Sequence, residues 1–191
     1  MTSLKGFGLG LASAAALALG CAVATAQVDP RFVITGEVAA TIGEMNMINA
    51  ATAEAIAKAC ERMATERGQS PVIVILDNFG NKVHQHRTDG AARYTAIHTA
   101  ELKANTAMQT RRLTSLRQAG VDRDPIRAVR EFGLGFFPTS GGLPIWVGNQ
   151  IIGFIGVGGM APRPPEWSDE VCAHRAMEEV IGTQPPLVED L

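Results

Sequence analysis

Two histidines, His84 and His86, flank a single glutamine in the run KVHQHR. On an extended strand, alternate side chains share a face about 7 Å apart, so both imidazoles project together. That spacing suits one nitrogen on an iron centre, or two nitrogens on a small metal ion. A metal site needs a further ligand, and Asp89 is the nearest supplier along the chain. The plainer reading is a pair of histidines on a solvated strand edge. His98 stands beside Ile97 on a helix of small residues, either as a half-buried structural histidine or as a donor reaching the same cavity from above. His174 has Glu178 four residues on and reads as a surface pair. Phe136 and Phe137 adjoin in a loop, as a core plug or as one wall of a pocket. Gly158 and Gly159 could offer backbone N–H groups to an anion.

Other chemistries lack their motifs. There is no GxxxxGK[ST], HExxH, CxxC or CxxCH, so a phosphate loop, a zinc protease, a thioredoxin-like centre and covalent c-type haem are not indicated. Ser115, Ser140 and Ser168 each lack a nucleophile elbow. A net charge of -2 and a pI near 6.1 leave no basic footprint for nucleic acid.

The elements that position these residues follow from periodicity. Ile48, Thr52, Ala55, Ala59 and Met63 recur at helical spacing, which predicts a helix over about 46–67 with that stripe inward and Gly68 ending it. Val72–Leu76 is a continuous aliphatic run, the mark of a strand buried on both faces. Asp77 to Asn81 supplies turn chemistry and Val83–Arg87 the return strand. A helix over about 93–108, capped by Asp89, places Ile97, Ala100, Ala104 and Ala107 on one stripe. Arg111 to Gly120 is basic and irregular and reads as a solvated helical turn. Asp124-Pro125 starts a short helix that ends at Gly133. Leu143–Val147, the turn Gly148-Asn149 and Gln150–Val157 form a second hairpin. Glycines 153, 156, 158 and 159 in its second strand suggest a backbone closely approached by a bulge, a facing helix or a ligand. Ser168 caps a last helix to about Ile181, and the tail from Thr183 reads as polar and loose. Strands that come in hairpins imply an α/β fold, a single domain with a mostly antiparallel central sheet flanked by helices.

Residues 1–26 read as a secretory signal peptide: Lys5, a small apolar stretch and the A-x-A site Ala24-Thr25-Ala26. Cys21 offers a rival lipid-anchored route. Residues 27–45 read as an extended arm, 46–182 as the domain and 183–191 as a flexible tail. Export, periplasmic or secreted, leaves Cys60 and Cys172, as either a disulfide or two separate buried thiols.

Several stretches together resemble a known family. GGLPI and IIGFIGVGG in 141–159, LDNFGNKVHQHRTDGA in 76–91, KANTA in 103–107 and Asp169-Glu170 are similar to the signatures of the GlcG/HbpS-type haem-binding family, related to the PduO C-terminal domain. The resemblance spans about Asn46 to Gly182. It implies a curved antiparallel sheet flanked by helices, commonly assembled into homo-oligomers, and haem as the small-molecule ligand. It implies one histidine, from His84, His86 or His98, or an oxygen ligand on the iron, with an apolar wall from Phe136, Phe137 and Ile97. Arg87 and Lys103 fall on motif positions, where they would meet a propionate; Arg87 could instead bridge to Asp89. Thr88 departs from the family's methionine, and Met160-Ala161-Pro162 from its small polar residues. The implied role is haem sequestration, transfer or iron-linked sensing, with an exported partner protein possible. Two other roles fit the same residues. One is an enzyme or accessory subunit on a small hydroxy acid or carbonyl, with His98 or Asp89 moving the proton. The other is an oligomeric interaction protein without a cofactor.

Overall fold

In the computed structural model, residues 46–91, 94–160 and 167–187 are described. The signal-peptide and arm readings lie outside them. Asn49 opens the first helix, α1 (Ala50–Thr65), by accepting a hydrogen bond from Thr52 N at 2.9 Å. Its buried face is Ala53, Ile56, Ala57, Ala59, Cys60 and Ala64; of the expected stripe Ile48 and Ala59 are buried, whereas Ala55 is exposed and Thr52 and Met63 are half-buried. Alanine occurs all round this helix, so the bulkier Ile56 sets the phase that alanine spacing leaves undefined.

Strands β1 (Val72–Leu76) and β2 (Lys82–Arg87) form the first hairpin, and β3 (Gly142–Val147) and β4 (Gln150–Gly158) the second. They join in the order β2-β1-β4-β3, with every neighbour antiparallel. The second hairpin turns at Gly148, whose φ of +58° is the left-handed conformation that glycine takes freely. The remaining helices are α2 (Tyr94–Thr110), α3 (Thr114–Arg123), α4 (Pro125–Gly133) and α5 (Asp169–Ile181). Asp124 and Ser168 cap α4 and α5 as expected. The solvated helical turn read from Arg111 to Gly120 is there, extended to the ten-residue α3, whose one buried residue is Thr114; a helix without an apolar stripe leaves no period from which to read its length.

The pleat gives the sheet two covered faces. Ile73, Ile75, Leu143, Ile145, Ile155 and Val157 pack with α1 and α5. Val72, Val74 and Leu76 pack with Ala96, Ala100 and Ala104 of α2. The α2 side depends on hydrogen-only side chains. A Cβ on Gly156 would stand 2.0 Å from Ala100 O and 2.6 Å from Ala104 N, so the facing helix is what approaches β4.

A disulfide joins Cys60 of α1 to Cys172 of α5, with Cα atoms 5.3 Å apart, which decides between the bridge and two separate thiols. The outer strand β3 is closed by side chains. Thr114 Oγ1 accepts from Gly142 N at 2.8 Å, and the Gln184 amide accepts from Trp146 N at 3.0 Å and donates to Trp146 O at 2.9 Å. Gln184 is 4% exposed, so the tail read as loose is fastened as far as this residue.

Candidate functional site

His84 and His86 pair with Ile75 and Ile73 across the β1–β2 ladder and therefore face α1. Their rings stack, centroids 6.3 Å apart with 7° between planes. His86 Nε2 lies 2.9 Å from Glu61 Oε2 of α1. Both histidines are half-buried against this helix flank. Among the described residues no three His, Cys, Asp or Glu side chains are grouped to hold a metal ion. Asp89 is exposed, and Arg87 donates to Ala91 O at 3.2 Å, fastening the hairpin's end.

The other expected residues fall on the opposite side of the sheet and do not converge on these histidines. His98 is exposed on α2, not half-buried, because the helix turns Ala96, Ala100 and Ala104 to the sheet. Ile97 packs at the margin of that alanine cluster. Gly158 and Gly159 lie beneath α2: a Cβ on Gly158 would stand 2.9 Å from Ala96 O, and one on Gly159 2.9 Å from Ala96 Cβ. The protein's own helix fills the space above these glycines. Phe136 lies under the Arg117 guanidinium at 4.5 Å, and Phe137 meets Phe132 edge-on at 6.0 Å. Both aromatics thus hold the α3–α4 region.

Lys103 belongs to a buried clasp. Its Nζ donates to Asp169 Oδ2 at 2.7 Å and to Val157 O at 3.0 Å, while Asp169 Oδ1 accepts from Met160 N at 3.2 Å. Next along α5, Glu170 accepts from Ser115 Oγ at 2.7 Å and from Ser140 Oγ. Gly141 lets the strands pass close by, since a Cβ there would stand 2.7 Å from Asp169 Cβ. Three sequence motifs, KANTA, the glycine pair and Asp169-Glu170, are thereby one fastening of α2, α3, β4 and α5. Burial pushes the Asp169 carboxyl above its ordinary range against the pull of the Lys103 ammonium. It does the same to Glu170 against its two serine donors. With its ammonium engaged here, Lys103 is held inside the fold.

A cavity of about 220 Å³ opens at the edge of β3. Leu113, Leu116, Leu143, Pro144, Trp146 and Met177 give it an apolar wall. Arg111 and Arg112, both exposed, stand at its margin, and Arg111 has a φ of 53°, the sole positive φ among the described residues other than glycine. Arg111 directly follows α2, and a residue in this conformation commonly ends a helix. His174 also lines the cavity, its side chain 13% exposed, with Nε2 2.9 Å from Pro185 O and Nδ1 3.4 Å from Glu178 Oε2. The pairing with Glu178 was legible in the sequence; the ring's place in a cavity wall was not. An apolar wall with an imidazole in it and two arginines at its margin suits an apolar ligand that carries an anionic group; the Arg111 guanidinium stands 5.9 Å over the Phe154 ring.

The family model of the haem-degrading HbpS-like proteins matches residues 48–178. The chain belongs to the HbpS-like family. Among curated proteins none matches it. Similar solved structures include HbpS, at 26% identity over 79% of this chain and 99% of that one, with a TM-score of 0.60. Klebsiella pneumoniae ORFY is 23% identical over 74% of this chain and 95% of its own, at 0.61. A PduOC–haem complex is 20% identical over 70% and 95%, at 0.61. The last two likenesses concern the fold. This HbpS-like chain thus has the α/β architecture that its motifs imply.

Proposed function

We propose that this HbpS-like protein is an exported haem-binding protein that sequesters or passes on haem, and that the ligand enters at the β3 edge. The observation that carries this reading is the apolar cavity with Arg111 and Arg112 at its margin. The planar fork of arginine suits propionates, and the leucine, proline and tryptophan wall suits the macrocycle's face. Family membership and the haem in the PduOC complex point to the same ligand class. Haem, when bound, supplies iron-centred binding and redox chemistry; the chain's residues orient it and shield it from water. At about 220 Å³ the cavity is smaller than the about 300 to 1,000 Å³ usual for small-molecule sites, so its residues fit an edge of the macrocycle and not the whole of it. Export is supported by the disulfide, which persists in oxidising compartments, and by the signal-like residues 1–26.

Hemin titration of the mature protein, followed by the Soret band, tests the reading. Arg111→Ala/Arg112→Ala should weaken binding about tenfold or more, and His84→Ala/His86→Ala should leave it unchanged. A loss confined to the His84/His86 variant would move the ligand to the other edge of the sheet. A native precursor that stays in the cytoplasm would sink the export reading.

A further inference from the structure

We propose that α4 is the docking face for a second copy of this chain, two such helices packing antiparallel across a two-fold axis at Val129. This inference stands apart from the haem reading. The helix is built inside out. Glu131 turns inward at 4% exposure, held by Arg117 Nε at 2.7 Å and Arg127 Nε at 3.3 Å. Ile126 and Val129 are 80% and 76% exposed, and Phe132 and Leu134 are exposed beside them. On a helix the spacing 126, 129, 132 makes one stripe about 9 Å long. A surface helix of a monomer turns such a stripe to the core, as α1 does with Ile56. Among the described residues, half of the exposed large apolar side chains lie on α4 and its C-cap.

The helix is fixed in this pose. Asp124 Oδ1 accepts from Ile126 N at 3.1 Å, Phe136 N donates to Glu131 O at 3.0 Å, and the Arg117 that bridges Glu131 also stacks on Phe136. Turning the stripe inward would strip Glu131 of both guanidiniums, and a face already held in place loses little order on docking. Charge decides the occupant. From 122 to 134 the exposed charged residues are Asp122, Arg123, Asp124 and Arg130, two of each sign. An anionic lipid surface calls for an excess of basic side chains on such a helix, whereas a mixed rim complements itself. In the antiparallel pair Val129 meets Val129 of the second copy, Ile126 meets Phe132, and the acids at one helix's start lie towards Arg130 near the other's end. Asp124 comes within about 6 Å of that arginine along the axis, inside a guanidinium's reach, and helix ends of opposite partial charge meet. The largest apolar patch on a typical monomer measures about 300 to 600 Å²; two such patches face to face reach the about 1,000 Å² that a specific interface needs.

The test uses the full-length mature protein. Sedimentation velocity of the wild type across a concentration series should show an assembly of two copies or a multiple of two. Val129→Glu sets two carboxylates against each other at the axis and should weaken association at least about thirtyfold. Its far-UV circular dichroism should match the wild type, because the site is exposed in the single chain. Mild oxidation of Val129→Cys should link copies to one another, whereas Ile126→Cys and Phe132→Cys should link only when the two are mixed. Cys60 and Cys172, already joined to each other, take no part. These cross-links judge the proposal independently of the folding of Val129→Glu.

A wild type that stays monomeric at every concentration overturns the proposal, as does a folded Val129→Glu variant that associates as tightly as the wild type. Cross-linking by Ile126→Cys alone, with none at Val129→Cys, would overturn the antiparallel two-fold. Flotation with phosphatidylglycerol vesicles closes the remaining route: a monomeric wild type that floats with them, and a Val129→Glu variant that does not, would give the face to a lipid surface instead.

Discussion

Removing the bridge between α1 and α5 should nearly unfold the domain. Cys60 and Cys172 are separated by 112 residues. In the chain-entropy treatment, closing a loop of that length restricts the unfolded chain by about 5 kcal/mol. Domains of this size are stable by only about 5 to 15 kcal/mol, so the bridge is a large share of the total. The perturbation is Cys60→Ala/Cys172→Ala, both sites being fully buried and free of polar side chains after replacement. Equilibrium unfolding in urea, followed by far-UV circular dichroism, should show a midpoint lowered by about 2 to 3 M. The thermal midpoint should fall by about 15 °C. Mature wild-type protein in strong reductant should behave like the double variant. A midpoint shift under about 0.5 M would refute the reasoning, because the unfolded chain would then be restricted by something other than the bridge. The result bears on function. A domain that needs this bond reaches full stability where thiols oxidise, outside the reducing cytoplasm.

Two further expectations concern packing and protons. Gly156→Ala should destabilise by about 3 kcal/mol, the upper range for overpacking, because its methyl would meet backbone atoms of α2 at 2.0 Å and 2.6 Å. Gly148→Ala meets nothing within 4 Å and should cost only the about 1 kcal/mol of its left-handed φ; equal losses in urea melts would contradict the helix-on-glycine account. Burial raises the Glu170 pKa from an ordinary 4.5, so across the interval above that value the native state binds more protons than the unfolded state. Stability from this group is therefore fullest below about 4.5 and declines as pH rises through the raised folded value. Lys103, Asp169 and His174 surround the same carboxyl. Melts of wild type against Glu170→Gln should diverge as pH rises; a constant difference from pH 4 to 8 would count against the shift.

The hairpins, the buried run Val72–Leu76 and the Asp124 and Ser168 caps were legible because each depends on neighbours in sequence. The phase of α1 was not, since alanine at Ala53, Ala55, Ala57 and Ala59 fits more than one stripe. The same limit hid the full extent of α3, of which the sequence shows a helical turn and whose one buried residue is Thr114. The cavity was hidden for another reason. Arg111, Trp146, His174 and Gln184 come from four separate stretches, and only the tertiary fold brings them to one wall. Conversely, the glycine motif was visible while its occupant was not: a strand without side chains records close approach, and here α2 makes that approach. Glu170, deep in the clasp, gave a signal as half of Asp169-Glu170, but its serine partners lie 30 and 55 residues away.

The closure of β3 limits how this protein can assemble. At Gly142 and Trp146 the outward-facing peptide groups are already taken by Thr114 and Gln184, and Pro144 between them has no amide hydrogen to give. A neighbouring chain that tried to extend the sheet there would find no rung to grasp. Among the described residues, the protein's own side chains thus guard this margin of the sheet against edge-to-edge pairing.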